Sequence, residues 1–165
     1  MSAPNWKGTA EVVGVIAIVG SLIFVGLQIK QEQEIALAEI NLSLLASEIE
    51  LNIAIGENAE VWAKGNAGEN LTRAERILYD RLLESLSYSY RTSRRQYLQF
   101  EQQRAAKVTL AQFAFFLHRN PGAREAWQSR SDREAEDWPK LVPGFNSTYR
   151  VAVLADLKKL DQIKE

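Results

Sequence analysis

The sequence predicts an all-α protein, with one N-terminal transmembrane helix continuous with a long helix and then a bundle-like helical domain outside the membrane. Three observations predict it. Residues 9–28 form an apolar run as long as a membrane crossing. Apolar residues elsewhere recur at three- and four-residue intervals. No stretch alternates apolar and polar residues in the manner of a strand. The expected organisation is a short tail over residues 1–8, a transmembrane helix over 9–29 and an extramembrane helical domain over 30–165.

The span comes first. A hydrocarbon core ~30 Å thick needs about 20 apolar residues at ~1.5 Å rise each. Within 9–28 the only charge is Glu11, near one end, and nothing in 12–27 is more polar than Ser21. Trp6 and Lys7 before the run and Lys30 after it are an aromatic and cations where a membrane interface favours them. A cleaved signal is the competing reading, since Ala36-Leu37-Ala38 has the small-x-small form of a cleavage site. Against it, Lys7 is the only cation ahead of the run, and Lys30, Glu32 and Glu34 separate that triplet from it in unbroken helical spacing. A buried helix of a soluble domain is rarely apolar all round for this length. The retained span is therefore the expectation.

The helix is expected to continue beyond the membrane. Ala10, Gly14, Ala17, Ser21, Phe24, Gln28, Gln31, Ile35, Ala38, Leu42, Leu45 and Ile49 form one stripe at alternating steps of four and three. Ala10, Gly14, Ala17 and Ser21, with Gln28 at the margin, make a small-residue face on which a second membrane helix can pack closely. Outside the membrane a second apolar row, Leu37, Ile40, Leu44, Leu51 and Ile55, makes the helix wider than a coiled-coil seam. Ile35 to Ile49 is accordingly expected to pack on the chain's own later helices, the alternative being that this aliphatic continuation of the stripe associates with a partner helix.

Residues 56–70, with Gly56, Gly65, Gly68 and several Asn, read as a loop around Val61 and Trp62. Thr72 with Glu75 is a capping-box spacing, and Ile77, Leu78, Leu82, Leu83 and Leu86 follow it in a helix expected to reach about Lys107. The apolar segment "VTLAQFAFFLHRNPG" is too short to span and reads as a core helix stopped by Asn120-Pro121. A further helix starts with Pro121 in its first turn. Residues 137–145, with Pro139, Pro143 and Gly144, read as a loop. Asn146 or Ser147 then caps a last helix carrying Val151, Leu154, Leu157 and Leu160.

Two segments carry a resemblance. "EVVGVIAIVGSLIFVGLQIKQ" together with "FFLHRNPGAREAWQSR" resembles a widespread group of uncharacterised bacterial single-span membrane proteins. In that group a span ends in an aliphatic-Gln-Ile-basic-Gln motif, and the helical domain holds a Phe/Leu-rich helix followed by Pro-Gly-x-Arg-x-x-Trp. The order and spacing match over most of the chain; Gln31-Glu32-Gln33 departs from the group's more frequent Gln-Asn-Thr, and Gln128 stands where a second Trp is frequent. The resemblance implies a bacterial inner-membrane setting and no particular activity.

Composition excludes several kinds of chemistry. With no Cys and one His, the chain has no thiolate zinc site, Cys nucleophile or redox pair. Lys plus Arg is 20 and Asp plus Glu is 21, a balance that draws no nucleic acid. His118 has no carboxylate three or four residues away, so metal-binding helix motifs are missing, and its expected role is to cap terminal carbonyls beside Arg119. Glu11 reads as an interfacial charge. No catalytic residue, metal site or cofactor is expected. The most informative polar stretch is "YSYRTSRRQYLQFEQQRAAK", where Arg91, Arg94, Arg95, Arg104 and Lys107 meet only Glu101. Two readings fit it: pairing with Glu32, Glu34 and Glu39 of the long helix, or contact with anionic lipids or an acidic partner. With Trp6, residues Tyr88, Tyr90, Arg91, Arg94, Arg95 and Tyr97 are the candidate lipid or partner surface.

The expected function is non-catalytic: an accessory or stabilising subunit of a larger membrane complex, of respiratory or photosynthetic type, with lipids and other membrane-protein subunits or copies of itself as partners. The basic cluster places the helical domain on the cytoplasmic side. A homo-oligomeric pore or scaffold, with Ser21, Gln28 and Gln31 facing its axis, is the alternative. An enzyme using Glu11 or His118 has least in its favour.

Overall fold

The computed structural model describes residues 6–142 and 147–163, except for the side chains of residues 6–9. The described residues form six α-helices and no strand, so the all-α expectation holds. The chain divides into two units, Met1–Ser43 and Leu44–Glu165.

The first unit is helical throughout its described length. It is the larger part of α1 (Trp6–Glu57), which no Gly or Pro interrupts. Gly14, Gly20 and Gly26 sit within it without a break. This part of α1 contains a segment long and apolar enough to cross a membrane, and none of that segment is buried.

The second unit holds the end of α1 and five further helices: α2 (Ala59–Ala67), α3 (Arg73–Gln99), α4 (Gln103–Arg119), α5 (Pro121–Leu141) and α6 (Thr148–Gln162). Its core is organised on α4, which buries Ala106, Thr109, Leu110, Phe113, Ala114 and Leu117 at helical spacing and packs against α3, α5 and α6. The fully buried Phe113 ring has Tyr90 at 5.2 Å, Trp127 at 5.7 Å in an edge-on arrangement and Tyr149 at 6.2 Å. One aromatic thus joins α3, α4, α5 and α6, each such ring pair adding ~0.5–1.5 kcal/mol beyond its buried area.

Three expected boundaries are corrected. Residues 56–70 are not a loop around Val61 and Trp62, because α2 occupies their centre. Asn58 alone interrupts the helix after α1, Glu60 and Lys64 pair at 2.6 Å one turn apart, and Val61 and Trp62 pack half-buried on the core. Gly68 ends α2 in the left-handed conformation at φ 78°, with its N–H donated to the Gly65 carbonyl. The helix from Thr72 stops at Gln99 instead of near Lys107. Glu101 adopts a positive φ of 59° there and turns the chain into α4 with no glycine or proline to announce it. Residues 137–141 are helical as well, since α5 carries Pro139 inside its last turns and closes with the Val142 N–H donated to the Trp138 carbonyl at 2.7 Å. A proline so near a helix end forfeits only one bond. The capping expectations hold at Thr72, whose N–H donates to the Glu75 carboxylate at 2.7 Å while its hydroxyl accepts from the Glu75 N–H at 3.3 Å. Ser147 caps α6 by accepting from the Arg150 N–H; Asn146 lies outside the described residues.

The expectation that Ile35 to Ile49 packs on the chain's own helices is also corrected for the part that lies in the second unit. Leu45 and Ile49 are 53% and 51% exposed. The other row is the one with cover: Leu44, Leu51 and Ile55 are half-buried, and Leu44 and Leu51 line a groove with Ser85, Tyr88 and Thr92 of α3. A helix has two opposite faces, and the chain uses one.

Two glycines set how closely α2, α3 and α5 meet. Gly65 is buried with the Tyr79 ring lying where a Cβ would be, and the Tyr79 hydroxyl donates to Asn66 at 3.0 Å. Gly122, in the first turn of α5, lies so close to Gly65 and Gly68 that a Cβ there would collide with α2 backbone. Gly122→Ala is expected to destabilise the unit by about 1–3 kcal/mol, since backbone cannot give way as a flexible side chain can. Gly56→Ala, in helix with open space around it, is expected to stabilise by about 0.5–1 kcal/mol. Chemical denaturation of both variants checks the pair; equal effects would contradict this account of the junction.

Candidate functional site

Among the described residues, three surfaces and a cleft bear on function. The first surface is the apolar part of α1. Ala10, Gly14, Ala17, Ser21 and Gln28 are all exposed, and nothing lies within 4 Å of where a Cβ on Gly14 would sit, so the small-residue face is open along its length. The Trp6 side chain lies outside the described residues.

The second surface is on α3, where the structure separates residues that the sequence groups. Tyr88, Arg91 and Arg95, at positions i, i+3 and i+7, are exposed on one face. The Arg91 guanidinium sits 5.4 Å over the Tyr88 ring, a cation–π contact that holds an otherwise mobile side chain. Tyr90, Arg94 and Tyr97 are half-buried on another face. Tyr90 belongs to the aromatic core beside Phe113, and burial raises its hydroxyl pKa, assisted by the Glu48 carboxylate. Burial also raises the pKa of Tyr149, while Arg91 and Arg94 act to lower it, which places both cations near the α6 edge of the core. Within the second unit, Arg91, Arg94 and Arg95 form no ion pair among the described residues. The exposed surface is therefore Tyr88, Arg91 and Arg95, with Arg94 at its margin.

The third surface had no local sequence signal. Arg124 in the first turn of α5 donates both guanidinium nitrogens to the Asp161 carboxylate at 2.8 Å, and His118 Nδ1 at the end of α4 lies 3.1 Å from the same carboxylate. His118 thus meets an acid from α6 in place of the terminal carbonyls expected. The Arg124 hydrogen bonds, with help from burial-opposed contacts to His118, lower the Asp161 pKa from 3.8 to about 2. Three helix ends are tied at one carboxylate.

The cleft lies between α2, α3 and α5 and has a volume of about 410 Å³. Arg76, Asp80 and Glu84 of α3 face Glu125, Arg130 and Arg133 of α5 across it, and the glycine junction closes one end. Glu84 pairs with Arg81 at 3.0 Å and with Arg130 at 3.1 Å. Such interleaved charges hold α3 to α5, and no imidazole lines the cleft to serve as a base. Among the described residues no group of three or more His, Asp or Glu is placed to hold a metal ion.

The Pro-Gly-x-Arg-x-x-Trp segment now has a physical account. Pro121 occupies the first turn of α5, Gly122 permits contact with α2, Arg124 binds Asp161, and Trp127 fills the core while its indole N–H donates to Ser87 at 3.2 Å. Every one of these roles is in folding. Compared with protein-family models, curated proteins and solved structures, the chain has no match, so its function is to be read from these surfaces.

The carboxylate tie gives a pH dependence with a definite sign. A carboxyl whose folded pKa is depressed contributes stability that is full above its unfolded value near 3.8 and is lost as pH falls through about 2. Thermal unfolding of wild type and Asp161→Asn at about pH 5 and below is expected to show a gap that is full at about pH 5 and closes as pH falls toward the folded pKa. A gap that does not change with pH would contradict the assignment.

Proposed function

We propose that the protein is a non-catalytic, membrane-anchored helical subunit that works through its surfaces, as an accessory or stabilising part of a larger membrane assembly. One observation carries this reading. The first part of α1 is a membrane-length apolar helix with no part of its apolar segment buried, so its side chains need lipid or another helix around them. Glu11 near one end and Lys30 at the other suit a single crossing with charged margins. The small residues Ala10, Gly14, Ala17 and Ser21 offer a neighbouring helix close backbone approach.

The exposed Tyr88, Arg91 and Arg95 supply a second contact, to anionic lipid headgroups or to acidic groups on a partner, each cation near an anionic surface adding about 1 kcal/mol. In this reading the helical unit lies on the cytoplasmic side of a bacterial inner membrane, whose anionic surface suits these cations. The polar positions Ser21, Gln28 and Gln31 on one stripe favour one other reading, a ring of identical copies around a pore.

Extraction in a mild detergent followed by native mass measurement separates the two. A particle containing other chains is expected. A ring of identical copies alone, with ion flux in liposomes lost on Gln28→Leu, would replace the accessory reading by the pore. A monomer in every detergent would contradict both.

A further inference from the structure

The last turns of α1 and the outer face of α4 are complementary in charge and both uncovered. On α1, Leu45, Ile49 and Ile53 are 53%, 51% and 55% exposed on one face, opposite the row that lines the α3 groove. Glu48 lies three residues after Leu45, Glu50 three before Ile53 and Glu57 four after it, so carboxylates flank the aliphatic row. No lysine or arginine occurs between Lys30 and Lys64 to neutralise them.

On α4 the pattern repeats with the opposite sign. Val108 and Phe115, seven residues apart and each 49% exposed, mark its outer face. Arg104 lies one turn before Val108, Lys107 beside it, and Arg119 one turn after Phe115 with its guanidinium 5.4 Å from the Phe115 ring centroid. Among the described residues, Glu48, Glu50 and Glu57 form no ion pair, and neither do Arg104, Lys107 and Arg119. The apolar rows match in reach: Leu45 to Ile53 covers about 12 Å along its axis and Val108 to Phe115 about 10 Å, at ~1.5 Å per residue.

We propose that these two faces are the halves of one self-association interface, the acid-flanked aliphatic face of α1 on one copy receiving the base-flanked face of α4 on another. Two α1 faces meeting each other would set like charges together, with Glu48, Glu50 and Glu57 on both sides and no cation between them. Pairing α1 with α4 removes both the repulsion and the exposed aliphatic rows. Each copy carries both halves, so the contact repeats from copy to copy or closes reciprocally between two. It adds an interface that does not depend on which other chains the span holds.

Charge reversal on each half tests it in the full-length protein in a non-ionic detergent, with mass followed by light scattering across a concentration series. Wild type is expected to associate, and more weakly as salt shortens the screening length. Glu50→Lys with Glu57→Lys, and separately Arg104→Glu with Lys107→Glu, are each expected to weaken association at least tenfold while helix content by circular dichroism is unchanged. An equimolar mixture of the two variants is expected to recover it, because the reversed α1 of one then meets the reversed α4 of the other. Three results would overturn the proposal: a wild type monomeric at every concentration, which would assign the faces to different partners; association indifferent to both reversals, which would assign it to the span; or variants that stay apart when mixed.

Discussion

The helix α1 carries more apolar surface than the chain itself covers, and the rest of the molecule follows from that imbalance. Val12 to Ile29 presents large aliphatic side chains that are 45–67% exposed on every side of the helix. At ~1–2 kcal/mol for each half-exposed side chain, leaving that run in water would cost roughly 10–20 kcal/mol, as much as the whole net stability of an ordinary domain. No packing in the second unit offsets such a cost. A bilayer would supply the cover without any shape requirement.

In the second unit the constraint changes, because apolar surface there is covered only by specific contacts. The second unit covers one face of α1 with α3 and concentrates its burial on α4, where Phe113 joins four helices. Its polar ties include helix-end contacts, the Thr72 capping box and Asp161 under Arg124 and His118, and contacts between helix bodies, Glu84 with Arg130 and Trp127 with Ser87. What is left outside is uneven. Carboxylates and aliphatics remain on α1, and cations with Tyr88, Val108 and Phe115 remain on α3 and α4. A surface divided in that way is suited to contacts with other molecules.

How much of this was legible in the sequence depended on whether the deciding interaction was local. The apolar length of α1, the Thr72 and Ser147 caps and Pro121 at the start of α5 are short-range signals, and the helices begin where they indicate. Gly65 misled because a glycine used for close approach to Tyr79 has the same letter as one that ends a helix; of the glycines in that segment, Gly68 has the positive φ. Glu101 gave no warning, since a non-glycine residue at φ 59° is held there by its surroundings. The pairing of Arg124 with Asp161 spans 37 residues and that of His118 spans 43, beyond any periodic pattern. Which of two apolar rows on α1 stays uncovered was likewise a matter of where α3 comes to lie, and spacing along α1 cannot report it.

The membrane crossing can be measured directly, because the chain has no cysteine and any single one introduced is a unique labelling site. A spin label at Val19 in lipid bilayers is expected to collide freely with dissolved oxygen and hardly at all with a water-soluble nickel chelate, while one at Val151, exposed on α6, collides readily with the chelate. Ready access of the nickel chelate to the label at Val19 would contradict the crossing and, with it, the membrane-anchored reading.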